Sequence, residues 1–74
     1  MKTFIIEATF EDRNENQQSI IIGKTLAKDK IEAHKNMCKK YKTENEYAIL
    51  RMRGHSFVGD VEFYYHNLDE METV

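Results

Sequence analysis

Glu46-Tyr47-Ala48-Ile49-Leu50-Arg51-Met52-Arg53 is the stretch on which the fold turns. With a two-residue period, Ala48, Leu50 and Met52 fall on one face. Tyr47, Ile49, Arg51 and Arg53 fall on the other, and this alternation predicts a strand. Gly54-His55-Ser56 follows as a turn signal and leads into Phe57 to Tyr65, where Phe57, Val61, Phe63 and Tyr65 share a side. The two segments read as a C-terminal hairpin. Gly59-Asp60 is a competing turn signal, which leaves the register of that hairpin open.

Upstream, Thr43-Glu44-Asn45 closes a helix that runs from Lys30 to about Lys42. Asp29 is a good N-cap, and Glu32 three residues later has capping-box spacing. Ala33, Met37, Tyr41, His34, Cys38 and Ile31 fall on one arc of this helix, with Glu32, Lys35 and Lys39 on the other side. At the N-terminus, Phe4, Ile6, Ala8 and Phe10 alternate with Ile5, Glu7, Thr9 and Glu11, which predicts a strand. The polar run Asp12 to Gln18 is a loop. A second strand starts at Ser19 with the β-branched block Ile20-Ile21-Ile22 and continues to about Leu26. Gly23 marks a bulge or a close backbone approach. The expected fold is α+β: one antiparallel four-stranded sheet in the order ββαββ, with one amphipathic helix packed on one face. Residues 1–66 form the single domain, and residues 67–74 an acidic C-terminal tail expected to fray.

The chain has 74 residues, of which 41% are hydrophobic and 32% charged, an ordinary globular balance that leaves no room for a second domain. The apolar start Phe4 to Ile6 runs straight into Glu7, so no signal-peptide core is expected there, and no membrane span. Cys38 is the single cysteine, which excludes an intrachain disulfide and suggests a reducing cytoplasm as the compartment.

The net charge of -2 hides a segregation. Residues 24–53 carry seven Lys and two Arg against four acids, whereas residues 54–74 carry five acids and no Lys or Arg. Lys28, Lys35, Lys39 and Lys42 crowd the helix and its approach, and Arg51 and Arg53 follow. Two readings stay open: a solvated helix face, or an electrostatic footprint for phosphates or an acidic protein surface. Tyr47, Arg51, Arg53 and Tyr64 are expected to share the sheet face opposite the helix. There they suit a stacking platform for single-stranded nucleic acid, a protein-binding hot spot, or plain cross-strand pairing.

Few residues suggest chemistry. His34 and Cys38 have the i, i+4 spacing of two metal ligands, but the local pairs of a structural zinc site are missing, and both lie on the apolar arc. Cys38 has no base placed by a motif, and phosphate-binding glycine loops are absent. No catalytic residue, metal or cofactor is assigned, and the chain is read as a non-enzyme. Arg53-Gly54-His55-Ser56-Phe57-Val58 resembles the start of the octapeptide of RNA-recognition motifs, but Asp60 replaces the terminal aromatic and the element order differs.

A broader resemblance covers most of the chain. Met1-Lys2-Thr3-Phe4-Ile5-Ile6-Glu7 opens a strand, Thr25-Leu26-Ala27 leads into a helix capped at Asp29 with Glu32-Ala33, and an aromatic-rich hairpin ends it. In length and ββαββ order this is similar to small phage-encoded type I-F anti-CRISPR proteins. The resemblance implies a stoichiometric inhibitor of a bacterial defence complex, and an inhibitor of a nuclease toxin fits as well. The partner would be a bacterial host protein, with no membrane involved and a homo-oligomer left open. The alternative is direct binding of RNA or another single-stranded nucleic acid.

Overall fold

A computed structural model describes residues 1–71. The elements are β1 (Lys2–Glu11), β2 (Gln17–Ala27), α1 (Lys30–Tyr41), α2 (Glu46–Met52), β3 (Val58–Asn67) and the single helical turn α3 (Leu68–Met71). The sheet is antiparallel and three-stranded, in the order β2-β1-β3. The α+β class is therefore as expected, but the four-stranded ββαββ sheet is not: residues 46–52 are a helix, and the last strand pairs with β1.

α2 is helical for local and tertiary reasons. The Asn45 side chain caps it, accepting from the backbone N–H of Tyr47 at 3.0 Å and of Ala48 at 3.4 Å. Glu, Ala, Leu, Arg and Met within it are all strong helix formers. At its other end Gly54 takes φ 82°, and the backbone N–H of His55 reaches the Leu50 carbonyl at 3.2 Å while that of Gly54 reaches Arg51 at 3.0 Å. Those two bonds form a Schellman motif, which needs a left-handed residue where Gly54 stands. Packing agrees. Ile49 and Leu50 are both fully buried, which neighbours in a strand covered on one face cannot be, whereas neighbours 100° apart on a helix can.

β1 is the spine of the sheet. Phe4, Ile6, Ala8 and Phe10 are buried, and the alternate residues are half-exposed. Its hairpin with β2 turns over residues 12–16, where Asp12 Oδ1 accepts the backbone N–H groups of Asn14 (2.8 Å) and Asn16 (3.0 Å) and Oδ2 accepts Gln18 Nε2 (2.9 Å). A bulge opposite Ile6 and Glu7 leaves Ile22 without a partner and turns it into the core. Gly23 borders that bulge, but a Cβ there would meet nothing closer than Lys40 Nζ at 3.9 Å, so no close approach demands glycine. In β3, Gly59 (φ 76°) lies within a second irregularity, between Thr9 and Glu11 of the partner strand. The Gly59-Asp60 signal thus marks a bulge inside a strand.

α1 starts as the sequence predicts. Asp29 accepts the Glu32 N–H at 2.8 Å, and the Glu32 carboxylate reaches back to the Lys28 N–H at 3.1 Å. Ala33 and Met37 are buried on its inner side, but Ile31, expected on the apolar arc, is 68% exposed. Both long helices lie on one sheet face. Extents of 38 × 32 × 16 Å fit one sheet and one helical layer, and among the described residues no element covers the other face of the sheet. Of residues 67–74, Asn67 ends β3 with its side chain capping the Asp69 N–H at 3.0 Å, and residues 72–74 lie outside the described residues.

Candidate binding surface

A concavity of about 460 Å³ runs along the outer flank of α1 and is lined by His34, Lys35, Cys38, Lys39, Lys42, Thr43 and Glu44. Lys35 and Lys39 stand one turn apart and Lys42 follows at i+3, so three ammonium groups border one groove. Among the described residues the ion pair formed is His66–Glu7, so none of these lysines is neutralised by a carboxylate. Lys28 is exposed just before the helix and does not line the groove. Lys40 turns toward β2, with Nζ 5.7 Å from the centroid of the Tyr41 ring.

Lys42 closes α1 in the left-handed conformation, with φ 56° and ψ 33°. The backbone N–H of Thr43 bonds to the Cys38 carbonyl at 3.1 Å and that of Lys42 to Lys39 at 3.3 Å, the same pattern that ends α2. Where a helix ends in this way, glycine usually fills the position. A side chain with a Cβ costs about 1–2 kcal/mol there. Lys42 holds it and lines the groove.

The groove floor is a polar chain. Cys38 Sγ lies 3.5 Å from His34 Nε2, and His34 Nδ1 lies 2.6 Å from the Tyr65 hydroxyl. Burial pushes the Tyr65 phenol far above its usual range, so it stays protonated. Burial, with Glu44 and Glu46 nearby, also raises the Cys38 thiol, the opposite of what a thiolate nucleophile needs. The i, i+4 pair therefore acts as a satisfied internal contact. Among the described residues no group of three or more His, Cys, Asp or Glu is placed to hold a metal ion.

The platform of Tyr47, Arg51, Arg53 and Tyr64 is not assembled on one sheet face. Three of its members ride on or just after α2, and Tyr64 belongs to the uncovered face of the sheet, alternating with the core-packed Phe63 and Tyr65. The Tyr47 hydroxyl donates to Asp60 Oδ1 at 3.1 Å, and its ring meets Phe57 edge-on at 5.5 Å. Arg51 places its guanidinium 5.3 Å from the Phe57 ring centroid, and Arg53 Nη1 donates to the Tyr41 hydroxyl at 3.3 Å. The Tyr64 hydroxyl donates to Glu62, and its ring stacks on His66 at 6.4 Å.

The uncovered sheet face holds a cluster that periodicity alone does not reveal. Glu7 on the central strand accepts a hydrogen bond from the Ser19 hydroxyl of β2, and His66 Nε2 of β3 lies 2.9 Å from Glu7 Oε1. Hydrogen bonding from Ser19 first, and then from His66, lowers the Glu7 carboxyl below its ordinary value. Ile21 and Leu26, 54% and 60% exposed, lie on this face. No helix among the described residues is long and apolar enough to cross a membrane. No family model, curated protein or solved structure matches the chain.

Proposed function

We propose that the chain is a small non-catalytic binding protein of the cytoplasm that acts stoichiometrically. In this reading the lysine face of α1 docks on an acidic surface of a partner protein. Lys42 is the observation that carries it. The left-handed backbone costs about 1–2 kcal/mol for a residue with a Cβ. A cation at a helix C-terminus recovers only about 0.3–1 kcal/mol, and Lys39 and Lys40 already occupy the last turn. Retaining lysine there makes physical sense if its cation is needed beside Lys35 and Lys39 for binding.

A protein partner is favoured over single-stranded nucleic acid because the aromatic and arginine side chains that would stack on bases are split between α2 and the far face of the sheet. The resemblance to phage counter-defence proteins suggests a bacterial defence complex or nuclease toxin as partner. It leaned on a ββαββ order, however, and the strand and helix order ββααβα removes that support, so the partner is argued from charge alone.

The test is capture of partners from a bacterial lysate, with and without nuclease, by the wild-type chain and by two charge-reversed pairs. Lys35→Glu with Lys39→Glu should lower capture by about tenfold at low salt and less at high salt, with nuclease making no difference. Capture that survives this pair and is lost with Arg51→Glu and Arg53→Glu would refute the α1 face. A gel shift of the purified chain with RNA that weakens steeply with salt would favour nucleic acid instead.

A further inference from the structure

A second concavity, of about 270 Å³, lies at the other end of the helical layer, lined by Arg13, Arg51, His55, Ser56 and Phe57. It brings together three parts of the chain: the β1–β2 turn, the last turn of α2 and the link into β3. No carboxylate lines it, and among the described residues neither arginine pairs with one. Two guanidinium groups thus face one space with no internal counter-ion, in a protein whose acids outnumber its bases by 13 to 11.

The groups around this space are held in place. The Arg51 guanidinium lies over the Phe57 ring, 5.3 Å from its centroid, and a guanidinium held this way over an aromatic ring can still offer N–H groups to an anion. Phe57 is fixed in turn by edge contacts with Phe10 at 6.4 Å and Tyr47 at 5.5 Å. His55 is anchored by the Schellman bond to Leu50 and by its ring lying 5.6 Å from Phe10. Arg13 stands in the turn that the Asp12 carboxylate locks through the Asn14 and Asn16 amides. Little order remains to be imposed when a ligand enters.

We propose that this concavity binds a phosphate monoester. Arg13 and Arg51 supply two positive charges to match the dianion, His55 and Ser56 add donors, and Phe57 forms an apolar wall. A tetrahedral phosphate offers three oxygens to donors arriving from three elements, whereas a planar carboxylate would be satisfied by a single arginine fork. The site is separate from the α1 groove and would take a small ligand, so it stands or falls independently of the docking reading.

Amide chemical shifts of the 15N-labelled full chain, titrated at low salt with inorganic phosphate and separately with a nucleoside 5′-monophosphate, test the proposal. The expected result is saturable movement of the Arg13 and Asn14 amides and of residues 54–57. Tighter binding of the monophosphate assigns the ligand to an organic ester, and equal binding assigns it to free phosphate. Arg13→Gln, at an exposed turn position with no side-chain hydrogen bond among those seen, should weaken binding by about tenfold or more, and Arg51→Gln should do the same. Lys35→Glu with Lys39→Glu should leave the affinity unchanged. No saturable shift with either probe would overturn the proposal. So would an unchanged affinity in Arg13→Gln, or an equal loss in the lysine pair, which would signal diffuse attraction with no defined site.

Discussion

Replacing Lys42 separates the backbone from the side chain at one position. With φ 56° and ψ 33°, Lys42 sits close to the ideal left-handed conformation, and two backbone hydrogen bonds hold it there. Lys42→Ala removes the cation and keeps a Cβ, so the strain remains. Lys42→Gly removes both. Relief of the left-handed penalty is worth about 1–2 kcal/mol, and the greater freedom of glycine in the unfolded chain returns about 0.4–1 kcal/mol of it. The glycine variant should therefore be more stable than the alanine variant by about 0.5–1 kcal/mol. For a domain of this size that is a melting-temperature gap of about 2–8 °C. Thermal melts followed by circular dichroism read the gap, and partner capture reads the loss of the cation. Both variants should bind equally weakly, although they differ in stability. An alanine variant as stable as the glycine variant would refute the backbone argument, and wild-type capture by both would remove Lys42 from the docking face.

Two further outcomes follow from α2 and from the uncovered sheet face. Asn45→Ala deletes the side chain that caps α2 and should cost about 1 kcal/mol; an unchanged urea midpoint would mean that residues 46–52 do not depend on a helical start. Glu7, whose folded carboxyl is lowered from an ordinary value of 4.5, contributes stability above that value and loses it as pH falls through the lowered one. The stability difference between wild type and Glu7→Gln should accordingly shrink as the pH falls below the ordinary value of 4.5, and a difference that stays constant on acidification would show that the Ser19 and His66 contacts do not select the ionised form.

Long periodic elements were readable from the sequence, and short ones were not. β1 alternates over ten residues and α1 is announced by Asp29 and Glu32, so local pattern and tertiary packing agree on both. The seven residues of α2 make only two turns, and over so short a span a two-residue and a 3.6-residue period fit almost equally well. The deciding signals were its ends, Asn45 and Gly54, together with the adjacent pair Ile49-Leu50. Mistaking α2 for a strand carried Tyr47, Arg51 and Arg53 onto the wrong surface as well. The lysine face was legible because α1 was, whereas the Ser19–Glu7–His66 cluster depends on a register between residues 59 positions apart, and the Arg13 pocket on how a hairpin turn meets the end of α2.

The place of β1 between its two neighbours also orders the assembly of the sheet. β2 and β3 do not pair with each other; within the sheet each is hydrogen-bonded to β1. The turn joining β1 to β2 spans residues 12–16, whereas Thr9 meets Glu62 only after the rest of the domain has been threaded between them. Closing the longer loop costs about 2 kcal/mol more in chain entropy than closing the shorter one. The N-terminal hairpin is thus the cheaper contact to make first, and β3, which carries Asp60 and Glu62, is the strand we expect to zip on last and peel off first. A newly made chain would accordingly display its lysine-bearing helix before the acidic strand has docked on the sheet.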